Sequence, residues 1–249
     1  MNRFSQIRVS KSVIKFKEQM MEKYGLKPYK YDDLPTVFFG LYNMIDYKEF
    51  QLHQGKSIIV WCGSDSLKID KYKEYLPKIK SVTNIAMSSF ISEDLTKYDI
   101  PHIIFPITPT KVIKNLKTRG ENIYFYGSLD NDFYGYETLK KIKDKIPHKI
   151  IITQKDTYTK EELQQIYESC FIGLRLTKHD GLPNTLCELG LMGRRCIYNG
   201  NLPNAIPYKN NQNIINIINK EFQSRLEDNS EIVDKMYNFL NLSNDWFYY

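Results

Sequence analysis

From Thr36 onward, short apolar runs alternate with longer segments whose apolar positions recur at helical spacing. Thr36-Val37-Phe38-Phe39-Gly40-Leu41 is uniformly apolar and ends at a glycine, the pattern of a strand buried on both faces in a parallel sheet. A helix is predicted from Met44 to about Gln54, and a second strand over Ser57-Ile58-Ile59-Val60-Trp61. Then come a helix over 67–79, a strand over 82–86, a helix over 89–98 and a strand over 103–105. Pro101, Pro106 and Pro109 punctuate the chain, and residues 111–120 read as a connector. The alternation then repeats. Strands are predicted at 122–126, 149–153, 171–176 and 196–198, with helices at 136–146 and 159–169 and a third ending at Gly193. Thr159 and Glu162 have the spacing of a capping box. Two further helices, 212–224 and 230–240, close the pattern. Strands separated by helices predict an α/β fold with two Rossmann-like parallel-sheet domains.

The first residues obey a different rule. Ile7, Val9, Val13, Ile14 and Phe16 are interspersed with Arg3, Arg8, Lys11, Lys15 and Lys17, which predicts a basic amphipathic helix over 10–24 capped by Ser10 or Ser12. Such a helix either packs on its domain with a solvated basic face or lies on an anionic membrane surface, so a peripheral membrane contact is one expectation. The chain has 249 residues and a formal charge of +6. That balance fits phosphate-bearing ligands but is not the concentrated basic face of a nucleic-acid binder, so no nucleic acid is expected. The abundance of tyrosine, 19 residues, changes little, because a base composition rich in A and T yields it without any function. Cys62, Cys170, Cys187 and Cys196 form no C-x-x-C pair and read as free thiols of a reducing, cytoplasmic compartment. His53, His102, His148 and His179 show no metal-ligand spacing. No apolar run approaches the length of a membrane span, and the N-terminus lacks a signal-peptide core.

Candidate chemistry concentrates in Phe171–Gly200, where a strand, a charged turn, a helix and a short strand succeed one another. The turn Thr177-Lys178-His179-Asp180-Gly181 sits at the carboxyl end of its strand, where open α/β sheets bind ligands. Arg175, Lys178 and the first N–H groups of the helix, over Leu182, Pro183, Asn184 and Thr185, suit a diphosphate. Glu188 lies beyond Asp180 with seven residues between them, inside the helix and among apolar neighbours. A carboxylate there is costly unless it is paired or used.

The run Gly173-Leu174-Arg175, Asp180-Gly181-Leu182-Pro183-Asn184-Thr185, Glu188, Met192-Gly193, Cys196-Ile197 resembles the donor-binding segment of GT-B glycosyltransferases, most of all the retaining family 4. The family's E-x7-E appears here as D-x7-E. The resemblance implies a two-domain fold of reduced size facing a cleft. Residues 1–112 would form the acceptor-side domain with its leading helix, 113–228 the nucleotide-sugar domain, and 229–249 a C-terminal helix returning to the first domain. It implies transfer of a sugar from a UDP- or GDP-sugar, with retention, to a glycan, lipid or protein acceptor. No cofactor and no divalent metal are implied. Glu188 would hold the ribose and Asp180 would lie near the transferred sugar. Gly181 through Thr185 would bind donor phosphate or sugar, together with Gly127 and Ser128 at the end of an earlier strand. Arg175, Lys178 and His179 would serve the leaving group. The chain departs from the family in Tyr126–Gly135, which carries no Lys or Arg where a basic pair is usual.

Other features are weighed beside this one. Gly40, Tyr42, Ser64 and Asp65 end two strands of the first half and are acceptor-side candidates, with Asp65 either a base or a helix cap. Asp130-Asn131-Asp132 is a D-x-D, which in a metal-dependent GT-A enzyme would hold a divalent ion. The aromatic tail Trp246-Phe247-Tyr248-Tyr249 is expected to pack on a domain surface. A nucleotide-sugar-binding protein without turnover and a nucleic-acid-modifying protein are the alternative functions.

Overall fold

The computed structural model describes residues 3–107, 119–127, 132–154 and 157–240. The chain divides into two compact units. One is built from the N-terminal part together with the short segment His179–Leu182, the other from the rest of the C-terminal part up to Phe239.

The first unit holds a six-stranded sheet in the order β2-β1-β3-β4-β5-β6, every pairing parallel. Its strands are β1 (Gln6–Val9), β2 (Lys27–Pro28), β3 (Thr36–Phe39), β4 (Ser57–Trp61), β5 (Thr83–Ala86) and β6 (Ile103–Ile104). Its helices are α1 (Lys17–Tyr24), α2 (Met44–Leu52), α3 (Leu76–Lys80) and α4 (Ser89–Thr96). β3 and β4 are buried along their whole length, as their apolar runs require. Trp61 at the end of β4 is fully buried, and its indole N–H donates to Asn84 Oδ1 at 3.0 Å.

Two expectations are corrected here. Residues 6–9 form an inner strand, β1, paired with β3 from Gln6↔Thr36 to Val9↔Phe39. The charged Arg8 is tolerated because its guanidinium meets Asp46 at 2.8 Å and also pairs with Glu49. The basic leading segment therefore comes after a strand, as a 3-10 turn over Lys11–Phe16 and then α1. The helix expected over 67–79 is broken into a 3-10 stretch, Ser66–Tyr75, and α3. Pro77 explains the break: it lacks an N–H and would clash with the carbonyl four residues before it in a continuous helix. Tyr72 takes up the kink and lays its ring 4.2 Å from that of Tyr47.

The second unit holds a five-stranded parallel sheet in the order β11-β10-β9-β7-β8. These strands are β7 (Asn122–Tyr126), β8 (Ile150–Thr153), β9 (Cys170–Leu174), β10 (Arg195–Ile197) and β11 (Ala205–Ile206). The helices are α5 (Tyr136–Ile142), α6 (Lys160–Glu168), α7 (Asn184–Leu191), α8 (Asn211–Gln223) and α9 (Ser230–Leu240). Thr159 and Glu162 make the capping box of α6. Phe125, Leu139, Phe171, Leu174 and Ile218 lie in one buried cluster between sheet and helices. β9 is buried throughout, and Gly173 lets α7 approach it. A Cβ on Gly173 would lie 2.7 Å from Leu189 Cδ1 and 2.9 Å from Cys196 Sγ. All four cysteines are free thiols, three of them buried. Among the described residues, no helix is long and apolar enough to cross a membrane.

Candidate functional site

The strand-turn-helix unit predicted at the carboxyl end of β9 is present. α7 begins at Asn184, with Pro183 as its N-cap, and no N-cap side chain bonds to it. Its first turn carries no acidic residue, so the helix dipole's positive end is not offset by a local carboxylate. Gly193, at φ +78°, closes the helix: the Arg194 N–H returns to Leu189 C=O at 2.8 Å.

Arg175 comes directly after β9, and its N–H donates to Ile197 C=O at 3.0 Å, which extends the sheet pairing by one residue. The side chain is only 6% exposed. Its guanidinium lies 4.9 Å from the Tyr126 ring centre and 4.4 Å from that of Tyr134, and the two rings meet edge to face. Both tyrosines belong to the stretch Tyr126–Gly135 that lacks a basic residue in sequence. The cation beside these rings comes from the residue after β9. Gly135, at φ +78°, makes this approach possible, since a Cβ there would lie 2.5 Å from the Leu176 carbonyl oxygen.

Glu188 sits in the second turn of α7 and is half-buried. Its Oε2 accepts from Tyr167 Oη at 2.9 Å. The Tyr167 ring packs edge-on against Tyr124, 5.1 Å between centres, and Thr153 Oγ1 donates to Tyr124 Oη at 2.8 Å. Burial, and then the Glu188 charge, push the Tyr167 phenol far above its ordinary range, so it stays a proton donor to the carboxylate. Sequence reading missed this tyrosine network. Its signal was available: Tyr167 lies on the inward face of α6, and a carboxylate inside a helix calls for a buried donor.

Not all predicted residues group with these. His179, Asp180, Gly181 and Leu182 belong to the first unit, as do Gly40, Tyr42, Ser64 and Asp65. His179 Nε2 lies 2.8 Å from Asp94 Oδ2. The Asp180 carbonyl accepts from Ser88 Oγ at 2.7 Å, and its Oδ1 accepts from the Gly181 N–H at 3.0 Å. A Cβ on Gly63 would stand 3.6 Å from Tyr42 Oη and 3.8 Å from the Gly181 nitrogen, so these three meet. Gly40 has φ +80° and underlies the Tyr42 ring. Lys178 is exposed and Ser64 half-buried.

Asp65 is fully enclosed and accepts from the backbone N–H groups of Leu41, Cys62 and Gly63 at 2.8–3.3 Å. Burial pushes its carboxyl up to about 6, although those N–H groups pull the other way. This carboxylate holds the loop after β4 together. It is neither a side-chain helix cap nor open to an acceptor hydroxyl.

Gly127 is buried at the end of β7, where its N–H donates to Thr153 C=O at 3.1 Å. Ser128, Asp130 and Asn131 lie outside the described residues, as does the tail 241–249. Asp132 accepts from the Glu137 N–H at 2.8 Å and so serves the start of α5. Among the described residues, no cluster of three or more His, Cys, Asp or Glu is placed to hold a metal ion.

Two parallel-stranded α/β units with this helix packing form a fold that matches GT-B glycosyltransferases. The particular likenesses are to three solved structures. TarM of S. aureus, solved in complex with Fondaparinux, alpha-GlcNAc-glycerol and UDP, is 14% identical over 85% of this chain and 56% of its own, with a TM-score of 0.50. Sucrose-phosphate synthase from Thermosynechococcus elongatus is 11% identical over 92% of this chain and 73% of its own, with a TM-score of 0.58. Anabaena HepE, in complex with UDP and glucose, is 8% identical over 82% and 74%, with a TM-score of 0.55. At these identities the likeness is one of fold. The chain spans little more than half the length of TarM. No protein-family model matches the chain, and no curated protein matches it in sequence.

Proposed function

We propose that this protein is a glycosyltransferase that takes a UDP- or GDP-sugar in its second unit and an acceptor in its first. The observation that carries the reading is the β9–turn–α7 segment. It combines a helix start with no acidic residue, an arginine brought to the end of β7, and a glutamate held by a buried tyrosine in the second helical turn. The fold likeness to HepE, a structure holding UDP and glucose, and to TarM, a structure holding UDP, supports it.

In this reading Glu188 accepts from the ribose hydroxyls, and Tyr167 fixes the rotamer in which it does so. The first N–H groups of α7 and the Arg175 guanidinium meet the diphosphate. The reaction breaks the bond between the anomeric carbon and the diphosphate oxygen and forms one to an acceptor oxygen. Most of the catalysis is positioning, together with stabilisation of charge growing on the diphosphate. Asp180 lies beside the transferred sugar, and Lys178 adds a mobile positive charge. Resemblance to the retaining family motivates retention at the anomeric carbon, and the same residues need no divalent metal.

Calorimetric titration with UDP and GDP in EDTA tests the proposal. Micromolar to low-millimolar binding is expected. A folded sample that binds neither, with or without a divalent ion, ends it. Anomeric coupling constants of the product by NMR test retention. Binding without transfer across a panel of glycan, lipid and peptide acceptors would leave a nucleotide-sugar-binding protein instead.

A further inference from the structure

Glu188 stands at one end of a row of hydroxyl groups that crosses the second unit. Thr153, the last residue of β8, donates its Oγ1 proton to Tyr124 Oη at 2.8 Å. A side-chain hydrogen bond joins the phenols of Tyr124 on β7 and Tyr167 on α6, whose rings meet edge to face at 5.1 Å. Tyr167 Oη donates to Glu188 Oε2 on α7 at 2.9 Å. Two strands and two helices of one unit thus contribute one member each.

The direction of donation follows from the protons present. A phenol has a single O–H. Tyr167 gives its proton to the carboxylate, so it is the acceptor toward Tyr124. Tyr124 gives its own proton to Tyr167 and therefore accepts from Thr153. Burial pushes both phenols above their ordinary range, which keeps both protons in place. Every bond runs the same way and ends on Glu188, and hydroxyls aligned head to tail polarise one another.

Packing does not call for this row. Thr153, Tyr124 and Tyr167 are all buried, where a hydroxyl is costly unless it is partnered. Valine at 153 and phenylalanine at 124 and 167 would fill the same space with no polar atom to satisfy. What the hydroxyls add appears at the end of the row, in the half-buried carboxylate. With the Tyr167 proton on Oε2, Glu188 presents lone pairs, and a ligand beside it must bring donors. Ribose brings two adjacent hydroxyls. A 2′-deoxyribose brings one fewer and leaves acceptor capacity unmet in a partly desolvated place. A site built to hydrogen-bond a hydroxyl rejects the analogue lacking it far more strongly than an apolar pocket does.

We propose that Thr153, Tyr124 and Tyr167 are positioning residues that hold Glu188 as a hydrogen-bond acceptor, so that the site selects a ribonucleotide over a 2′-deoxyribonucleotide. The inference rests on the nucleotide-sugar reading above.

The test is calorimetric affinity for whichever of UDP and GDP binds more tightly, and for its 2′-deoxy counterpart. The wild type should prefer the ribonucleotide about tenfold or more. Tyr167→Phe should reduce that preference to about threefold or less, and Tyr124→Phe, one bond farther away, to an intermediate value. Thr153→Ser keeps a hydroxyl and should preserve the wild-type ratio. The ratio separates positioning from packing, since a packing defect lowers the melting temperature and weakens both nucleotides alike. A wild-type protein that binds the two within about twofold of each other would overturn the inference and leave the donor reading standing, with no variant needed. An unchanged ratio in folded Tyr167→Phe and Tyr124→Phe would overturn it as well. A wild-type protein that binds no nucleotide would instead overturn the donor reading itself.

Discussion

At the carboxyl ends of their strands, the two units hold charged groups in different ways. In the first, the acids near the carboxyl ends of the strands are enclosed by hydrogen-bond donors. Asp46 is 1% exposed. Its Oδ2 accepts from Ser10 Oγ at 2.7 Å, the Tyr42 N–H at 2.8 Å and Asn43 Nδ2 at 2.9 Å, while Oδ1 faces Arg8 at 2.8 Å. Asp65 is held by backbone N–H groups in the same manner. In the second unit the corresponding charged groups are held by aromatic side chains: Arg175 between two tyrosine rings, Glu188 by the phenol of Tyr167. A carboxylate filled by backbone donors fixes a loop. A guanidinium beside two aromatic rings is held by attraction to the ring faces. The contrast marks Asp46 and Asp65 as architectural, and the proposed function assigns Arg175 and Glu188 to the donor.

The most severe way to break this contrast is Asp46→Ala. It leaves Ser10 and two N–H groups without their acceptor inside the first unit and leaves Arg8 with Glu49 as its remaining carboxylate. Breaking such a pair costs about 3–5 kcal/mol. Urea unfolding should show that loss in the first unit, and the intact fraction should retain its nucleotide affinity. A loss of affinity with unchanged stability would reverse the assignment.

Glu188→Ala should do the opposite. Loss of a hydrogen-bonding carboxylate from a ligand typically costs roughly 1.5–3 kcal/mol, so UDP affinity should fall about 10- to 100-fold. Tyr167→Phe, which removes only the hydroxyl that orients Glu188, should reproduce a smaller part of that loss. Calorimetry measures both. Unchanged affinity in Glu188→Ala would move the ribose site elsewhere.

Arg175→Lys probes the aromatic grip alone. Lysine keeps the charge but has no planar face for Tyr126 and Tyr134, and stacked cations contribute about 0.5–2 kcal/mol. A several-fold rise in the UDP dissociation constant is expected, with a melting temperature lowered by a few degrees. Full activity would show that the charge, and not its orientation, is what matters.

How far these assignments were legible in the sequence differs between the units. The repeated apolar runs revealed both parallel sheets because buried strands leave a local signature of a few residues. β1 escaped because Arg8 sits in it, and its neutralisation by Asp46 and Glu49 depends on residues far along the chain. The break at Pro77 was readable and outweighs the helical spacing around it. The strand-turn-helix unit after β9 was readable, since the helical repeat from Asn184 onward sets where Glu188 stands on α7. The stacking of Arg175 on Tyr126 and Tyr134 was not readable, because it joins the ends of separate strands. Nor was the capture of His179–Leu182 by the first unit, which depends on side chains of α4 placed long before it in sequence.

The smallest effect sharpens the picture of the first unit, where two buried groups titrate with opposite consequences. Asp65 has its carboxyl raised to about 6 by burial, against about 3.9 in an unfolded chain. The folded state therefore binds its proton more tightly. The stability this contributes is complete below the unfolded value and is lost as pH rises through about 6. His53 is 2% exposed, with its ring 5.2 Å from that of Phe38. Burial first, and then Lys78, lower its pKa, against the opposing pull of the Lys56 backbone and of Asp32 and Asp33. Its neutral form is favoured on folding, so its contribution is intact above about 6.5 and is lost as pH falls below that. Between pH 7 and 5.5 the two trends oppose each other. The wild-type first unit should change by about 1 kcal/mol or less, a few degrees in melting temperature. His53→Phe removes only the acid-side loss, so its melting temperature should climb as the pH is lowered from 7 to 5.5. Parallel pH profiles for the variant and the wild type would mean that His53 is not the group opposing Asp65.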